Sequence, residues 1–307
     1  MALTERFRGF TIASALANRA TSDPGHVYLR LHDRVLTYGE IERDAEALAA
    51  AFSNLGIEAG DRVALLLPPC PEFVVAMFAA AKLGATIVPL NPRLTTSELK
   101  YVLRHSEAVC AVTVEHAFGV DYLQLFEDLM PQLPELQYLA TVGEENLWYD
   151  DRIFQFEDLI SAGAGRDFPA AAVDPGRDCF AIVYTSGTMG KPKGVELSHT
   201  NLIHTAAGTA DALGLTESDR LVGVTALFHV FGLGPGLLSA VLVGASIILQ
   251  DEADAAATLD LAEQHDATVH YGIPTLFVSE LAQLSARRRD LSSLRLAVVA
   301  GAPVHDD

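Results

Sequence analysis

The residues best suited to chemistry lie in one stretch, Tyr184-Thr-Ser-Gly-Thr-Met-Gly-Lys-Pro-Lys-Gly-Val195. Gly187, Gly190 and Gly194 let a backbone turn its N–H groups inward without a Cβ in the way. Thr185, Ser186 and Thr188 add hydroxyl donors, and Lys191 and Lys193 add two cations at alternate positions. A concave set of donors with a few point charges is what a polyphosphate requires. The stretch is not a Walker A loop, because Pro192 follows Lys191 where that pattern wants Ser or Thr after its lysine. Its competing reading is a solvated surface turn.

A second candidate is His229, set between two aromatics in Phe228-His-Val-Phe231. A lone histidine among apolar residues is also compatible with a hydrogen-bonded core position. Metal chemistry finds little support. The three cysteines, Cys70, Cys110 and Cys179, stand far apart and form no CxxC. His265 and His270 fall across a helix-to-strand junction, a poor geometry for a shared ion. Scattered thiols suit a reducing compartment, so a cytoplasmic location is expected.

Composition narrows the partners. The 307 residues carry 21 Lys+Arg against 40 Asp+Glu, a formal charge of −19. Nucleic acid and anionic membrane surfaces are therefore poor partners. One small anion remains possible if oriented amides and a few lysines hold it locally against the global field. Half of the residues are hydrophobic, which excludes a disordered chain and supplies a large core. Residues 221–250 carry no charge, but Gly232, Gly234, Pro235, Gly236 and Gly244 interrupt them. A buried strand, a loop, a helix and a second strand fit that stretch better than a membrane span.

The elements that must position these residues alternate. Val35-Leu36 reads as a strand, and Thr37-Tyr-Gly-Glu40 as a capping box opening a helix that closes at Gly56. Strands follow at 62–67, 86–89 and 109–114, with helices at 71–83 and from 96. Loop material fills 162–177. The alternation then resumes with a strand at 179–184, a polar loop to Ser198, a helix at 199–213, and strands at 220–224, 245–249, 268–271 and 294–299. Short, wholly apolar strands between helices predict α/β architecture, a mostly parallel sheet covered on both faces. The expected division is a first α/β subdomain over 1–165 stacked on a second over 166–307 that carries the lysine-bearing loop.

With these residues in place, a resemblance is visible. Thr185–Gly194 resembles the signature loop of the adenylate-forming superfamily, which contains acyl-CoA synthetases, luciferases and peptide-synthetase adenylation domains. Leu36-Thr-Tyr-Gly-Glu40, Gly60-Asp-Arg-Val-Ala-Leu-Leu-Leu-Pro68, Lys82-Leu-Gly-Ala-Thr-Ile-Val-Pro-Leu-Asn-Pro92 and Leu197-Ser-His-Thr-Asn201 resemble further blocks of that family in the same order. Leu227-Phe-His-Val-Phe-Gly-Leu233 is similar to the acyl-CoA synthetase form of the next block, and Ala300-Gly-Ala-Pro303 to the "GGAPL" segment. The likeness runs through nearly the whole chain.

The resemblance implies a reaction. A carboxylate attacks the α-phosphorus of ATP in the presence of Mg²⁺, and coenzyme A then takes the acyl group. It further implies that Thr185, Ser186, Gly187, Thr188, Gly190, Lys191, Lys193 and Gly194 hold the phosphates. His229 would lie near the substrate carboxylate, and Phe231, Gly232 and Leu233 would line the acyl site. Gly301, Ala302 and Pro303 would lie against adenine, with Tyr271 and Pro274 at the border of the same cleft. The apolar stretch from Leu227 to Leu242 points to a fatty acid of medium or long chain.

Two departures from the family pattern stand out: Met189 replaces a hydroxyl residue, and Ala300 replaces the first glycine of "GGAPL". The family's Mg²⁺-assisting acid, ribose-binding aspartate and small lid domain would fall after residue 307. The resemblance thus implies an N-terminal portion that is inactive alone and that leaves apolar surface for association, a homodimer being one form. Two other functions fit the same motifs, a non-catalytic nucleotide- or acyl-binding module and a domain that loads a carrier protein. The latter wants an aspartate for an α-amine, and 231–236 has none.

Overall fold

A computed structural model describes residues 2–185 and 191–304. The strands are β1 (Val27–Leu31), β2 (Arg34–Thr37), β3 (Arg62–Leu66), β4 (Thr86–Pro89), β5 (Cys110–Val114), β6 (His116–Ala117), β7 (Val120–Asp121), β8 (Tyr138–Val142), β9 (Ile153–Gln155), β10 (Cys179–Thr185), β11 (Lys193–Ser198), β12 (Arg220–Val222), β13 (Ser246–Ile248), β14 (Val269–Gly272) and β15 (Leu296–Val299). One sheet has seven strands in the order β11-β10-β4-β3-β5-β8-β9, and another has six in the order β15-β14-β12-β13-β1-β2. Pairing within each is parallel except at one edge, where β11 and β2 run antiparallel to β10 and β1. Helices connect and cover the sheets, so the parallel α/β expectation holds.

Local chemistry sets most boundaries. Thr37 and Glu40 form the capping box of the helix Tyr38–Asn54, and Thr95 and Glu98 that of Thr96–Ser106. Each satisfies N–H groups that the first helical turn leaves open. Pro71 opens the helix Pro71–Leu83, whose C-cap is Gly84 at φ 70°. A Cβ there would add side-chain crowding to a left-handed backbone, since Ala171 Cβ would stand 2.9 Å away.

The structure differs from the sequence reading in three places. Neither sheet lies within 1–165 or 166–307: β1 and β2 join the sheet of β12–β15, while β10 and β11 join that of β3, β4, β5, β8 and β9. One apolar cluster runs through both, from Leu29, Val63 and Ile87 to Phe180, Leu221 and Ile247. The polar loop expected as far as Ser198 ends earlier, because Lys193–Ser198 is a strand. Finally, the glycine-rich part of 221–250 forms a π-helix, Gly232–Leu238 with Pro235 inside, followed by a short α-helix, Ser239–Val243.

Buried polar contacts tie distant segments together. Asp219, 2% exposed, accepts from Thr268 Oγ1 at 2.7 Å and from Arg295 Nη2 at 2.7 Å and Nε at 2.9 Å. Burial alone would push this carboxyl up, but Arg295, Thr268 and the Thr216 amide hold it at about 2. Asp219→Ala would leave Arg295 and Thr268 unpaired where β12, β14 and β15 begin. A loss of about 3 kcal/mol is expected in denaturant unfolding, with Asp219→Asn costing less.

His199 opens the helix His199–Leu213, and its Nδ1 accepts the Ile12 N–H at 3.1 Å. Burial lowers its pKa to about 4, below the 6.5 of an unfolded histidine. The unfolded chain therefore binds more protons between these values. The stability from this group is complete above about pH 6.5 and falls as pH drops towards 4, by roughly 2–3 kcal/mol. Unfolding curves across that window should show the slope, and His199→Asn should flatten it.

Candidate active site

In a parallel sheet the strand ends line one edge, and ligands bind where successive connections leave for opposite faces. The six-stranded sheet has such a point between β12 and β14. After β12 the chain passes through Ser239–Val243, on the face that carries Leu221 and Ile247. After β13 it passes through Ala255–Gln264 on the other face, where Val222, Ile248 and Ala262 cluster. The helix Pro274–Ala286 follows β14 on that second face, since its Glu280 and Phe277 meet His270.

The crevice between β12 and β14 is walled by backbone. Gly223, at φ 81°, follows β12, and a Cβ on it would stand 2.0 Å from the Tyr271 carbonyl oxygen. Gly272 ends β14 with the Phe277 ring over it. On the same edge, Ala300 N–H donates to the Gly272 carbonyl at 3.1 Å. Gly301 lies at φ 87° beside Ile273, whose Cγ2 would be 3.2 Å from an added Cβ. The structure thus brings Gly301 to the strand end it shares with Tyr271. Ala302 and Pro303 follow, exposed.

His229 is exposed in the turn between β12 and the π-helix. Its Nδ1 accepts the Phe231 N–H at 3.2 Å. A neutral imidazole bonded in this way carries its proton on Nε2, as a donor. Phe231 is half-buried, with its ring centroid 5.4 Å from that of Tyr271. Gly232 packs so tightly that a Cβ would lie 2.2 Å from the Ala226 carbonyl oxygen. Leu233 is buried in the main core at 0% exposure, as are Leu237 and Leu238. Core packing therefore accounts for most of the apolar stretch that suggested an acyl lining. Val230, Ile273 and Val299, the last paired with Gly272, are exposed apolar residues near this edge.

The lysine-bearing stretch joins β10 to β11 at the carboxyl edge of the seven-stranded sheet. Ser186, Gly187, Thr188, Met189 and Gly190 lie outside the described residues. Thr185 pairs with Lys193 across the hairpin, and Tyr184 with Gly194. Lys191 and Lys193 are both exposed, and the Lys191 ammonium sits 5.8 Å from the centre of the Tyr101 ring. Gly194 faces Tyr184: a Cβ there would be 3.2 Å from Tyr184 Cζ and 2.7 Å from Ile182 Cγ2.

No group of three or more His, Cys, Asp or Glu side chains is gathered for a metal among the described residues. Two concavities, of about 330 and 450 Å³, lie away from both carboxyl edges. The first is beside Met130 and Arg152, and the second is at the amino ends of β3, β4 and β10. No helix is long and apolar enough to cross a membrane among the described residues.

Comparison with known proteins decides the family. Residues 16–307 match the family model described as AMP-binding enzyme. The chain belongs to the AMP-binding enzyme family. It is 32% identical over 316 residues to 4-coumarate–CoA ligase 5 of Oryza sativa subsp. japonica, covering 96% of this chain and 56% of that protein. It is 28% identical over 302 residues to a long-chain-fatty-acid–CoA ligase of Bacillus subtilis (strain 168), covering 93% and 54%. Among solved structures, the anthranilate CoA ligase AuaEII in complex with anthranoyl-AMP superposes with a TM-score of 0.88 at 29% identity, covering 98% of this chain and 57% of that one. The chain spans about half the length of the relatives it matches. The fold of that solved ligase is reproduced over nearly all of this chain.

Sequence reasoning missed one feature of this AMP-binding fold. His270 and Glu280 are each 3% exposed, with Nε2 and Oε1 3.2 Å apart beneath the crevice. Nothing in their spacing announces the pair, because strand and helix must first pack. The crevice itself yields a prediction. Gly232→Ala forces a Cβ into the Ala226 carbonyl and must shift the turn that carries His229. Loss of about 2 kcal/mol or more in unfolding is expected, whereas Gly208→Ala, with nothing within 4 Å of its added Cβ, should be neutral or stabilising.

Proposed function

We propose that the protein of this sequence activates a carboxylic acid with ATP, forming an acyl-adenylate and then an acyl-CoA. The reading rests chiefly on one observation: a glycine-, hydroxyl- and lysine-rich connection stands at the carboxyl edge of a parallel sheet in a member of the AMP-binding family. Thr185, Ser186, Gly187, Thr188, Gly190, Lys191, Lys193 and Gly194 take the β- and γ-phosphates of Mg²⁺-bound ATP. Holding the polyphosphate offsets repulsion between two anions and leaves the α-phosphorus open to in-line attack.

The carboxylate oxygen forms a bond to the α-phosphorus as the bond to pyrophosphate breaks, and pyrophosphate leaves with its electrons. His229 Nε2–H donates to the carboxylate and orients it. Gly301, Ala302 and Pro303 offer adenine a strip with little side chain. The thiol of coenzyme A, losing its proton, then attacks the acyl carbon, and AMP departs. Phe231 borders the acyl group, with Gly232 and Leu233 packed behind it as its support. The acid is apolar, a medium- or long-chain fatty acid, because Val230, Phe231 and Ile273 make the rim of the crevice apolar. Relatives of similar identity are named for a phenolic acid and for a fatty acid, so the acid class is the finer part of the proposal.

Pyrophosphate release from ATP by the complete polypeptide, with a panel of aliphatic and aromatic acids, tests it. Release is expected to be greatest with an aliphatic acid, and none with any acid would reject the adenylation reading. Lys193→Ala should weaken ATP binding about 10- to 100-fold in calorimetry, the loss of one charge-assisted contact or more. An unchanged affinity would remove Lys193 from the phosphate site.

A further inference from the structure

The hairpin of β10 and β11 is held from one side by an aromatic ladder on the helix Thr96–Ser106. Tyr101 and His105 stand one turn apart on this helix, with ring centroids 5.5 Å apart and planes 29° apart. His105 then meets Tyr184 edge-on at 5.7 Å, and its Nδ1 lies 2.7 Å from the Tyr184 hydroxyl. Burial pushes the Tyr184 phenol up to about 12, so it keeps its proton, and the tautomer of His105 sets which partner donates. Tyr184 lies across Gly194 on the neighbouring strand, and Lys191 rests over Tyr101.

From this geometry we infer that His105 is a positioning residue for the phosphate hairpin, fixing β10 through Tyr184 while Tyr101 fixes the approach of Lys191. The inference deepens the ATP reading and rests on it for its functional consequence. His105 itself touches no phosphate. It acts by setting where the strand ends at Thr185 and hence where the donors beyond it begin. A hydrogen bond worth a few tenths to somewhat over 1 kcal/mol is too weak to decide whether the chain folds, but strong enough to bias a terminal hairpin. Helix and hairpin also belong to separate connections of the sheet, so no local turn chemistry duplicates this link.

The test uses the purified chain and two readouts. Hydrogen exchange reports the amides of Lys193–Ser198, and calorimetry reports the affinity for Mg²⁺-ATP. His105→Phe keeps a ring and removes the hydrogen-bonding nitrogen, Tyr184→Phe removes only the hydroxyl, and His105→Asn returns a polar amide near the Nδ1 position. Both phenylalanine variants should exchange faster in β11 and bind ATP about three- to tenfold more weakly. His105→Asn should restore both to within about twofold of wild type, a rescue that mere loss of packing would not give. Unchanged exchange in both phenylalanine variants would overturn the inference, as would failure of the asparagine to rescue a folded protein. Absence of ATP binding by the wild-type chain would instead overturn the adenylation reading. The ladder would then be judged on exchange alone, by the same two outcomes.

Discussion

Two tyrosine hydroxyls secure the stretch from Gly232 to Ala245 that backs the crevice. Gly232–Leu238 contains Pro235, which has no N–H to give, and glycines that gain nothing from side-chain packing. Such a segment left in a dry core would carry unpaired carbonyls. Tyr28 donates to the Leu237 carbonyl at 3.1 Å, and Tyr38 lies within hydrogen-bonding distance of the Ala240 and Ala245 carbonyls, at 3.0 and 2.6 Å. The two rings stack at 4.4 Å, and burial raises both phenols, so both stay protonated donors. Gly232 can then sit against the Ala226 carbonyl, and the turn bearing His229 has a fixed base. Segments about 200 residues apart in the chain are joined by this contact, and β1 enters the six-stranded sheet beside β13 on the same account.

Charge poses the complementary constraint. A chain with 40 acidic and 21 basic side chains repels an anion at long range. Much of the basic complement is engaged in structure: Arg62 with the carbonyls of Gly60, Ser106 and Glu107, Arg295 with Asp219, and Lys82 with Glu42. Lys191 and Lys193 are exposed. Local placement of two cations does more for a polyphosphate than net charge, because solvent screens the distant acids within about 8–10 Å.

What the sequence disclosed was what is decided within a few residues. The capping box at Thr37, Pro71 opening a helix and Gly84 closing it are local bargains between backbone and side chain, and each stands where it was read. The apolar runs of β3, β4 and β5 are equally plain, since strands buried on both faces leave little room for polar residues. The sheet to which β1 and β2 belong was hidden, because strand pairing at that separation leaves no periodic mark. The early start of β11 was hidden too: Lys193 and Gly194 look like turn residues until Tyr184 is laid across them. The π-helix escaped notice for a related reason, as glycine and proline signal a loop when no partner for the freed carbonyls is in view. At the site, the residue types were legible and their company was not. His229 and Phe231 were marked by their motif, whereas the contact of Phe231 with Tyr271 and the buried His270–Glu280 pair needed the folded sheet.

The way the crevice is built also explains how one fold can serve relatives named for different acids. Its walls are backbone: Gly223 against the Tyr271 carbonyl, Gly272 beneath Phe277, and Gly301 against Ile273. Substitution there changes the sheet itself, and close packing tolerates it poorly. The rim residues Val230 and Ile273 are 37% and 49% exposed and bear little of the core. They can change without disturbing strand order. An identity of 29% with a TM-score of 0.88 shows how much sequence change the fold accommodates. Leu233, Leu237 and Leu238 belong to the supports, and their apolar character follows from packing.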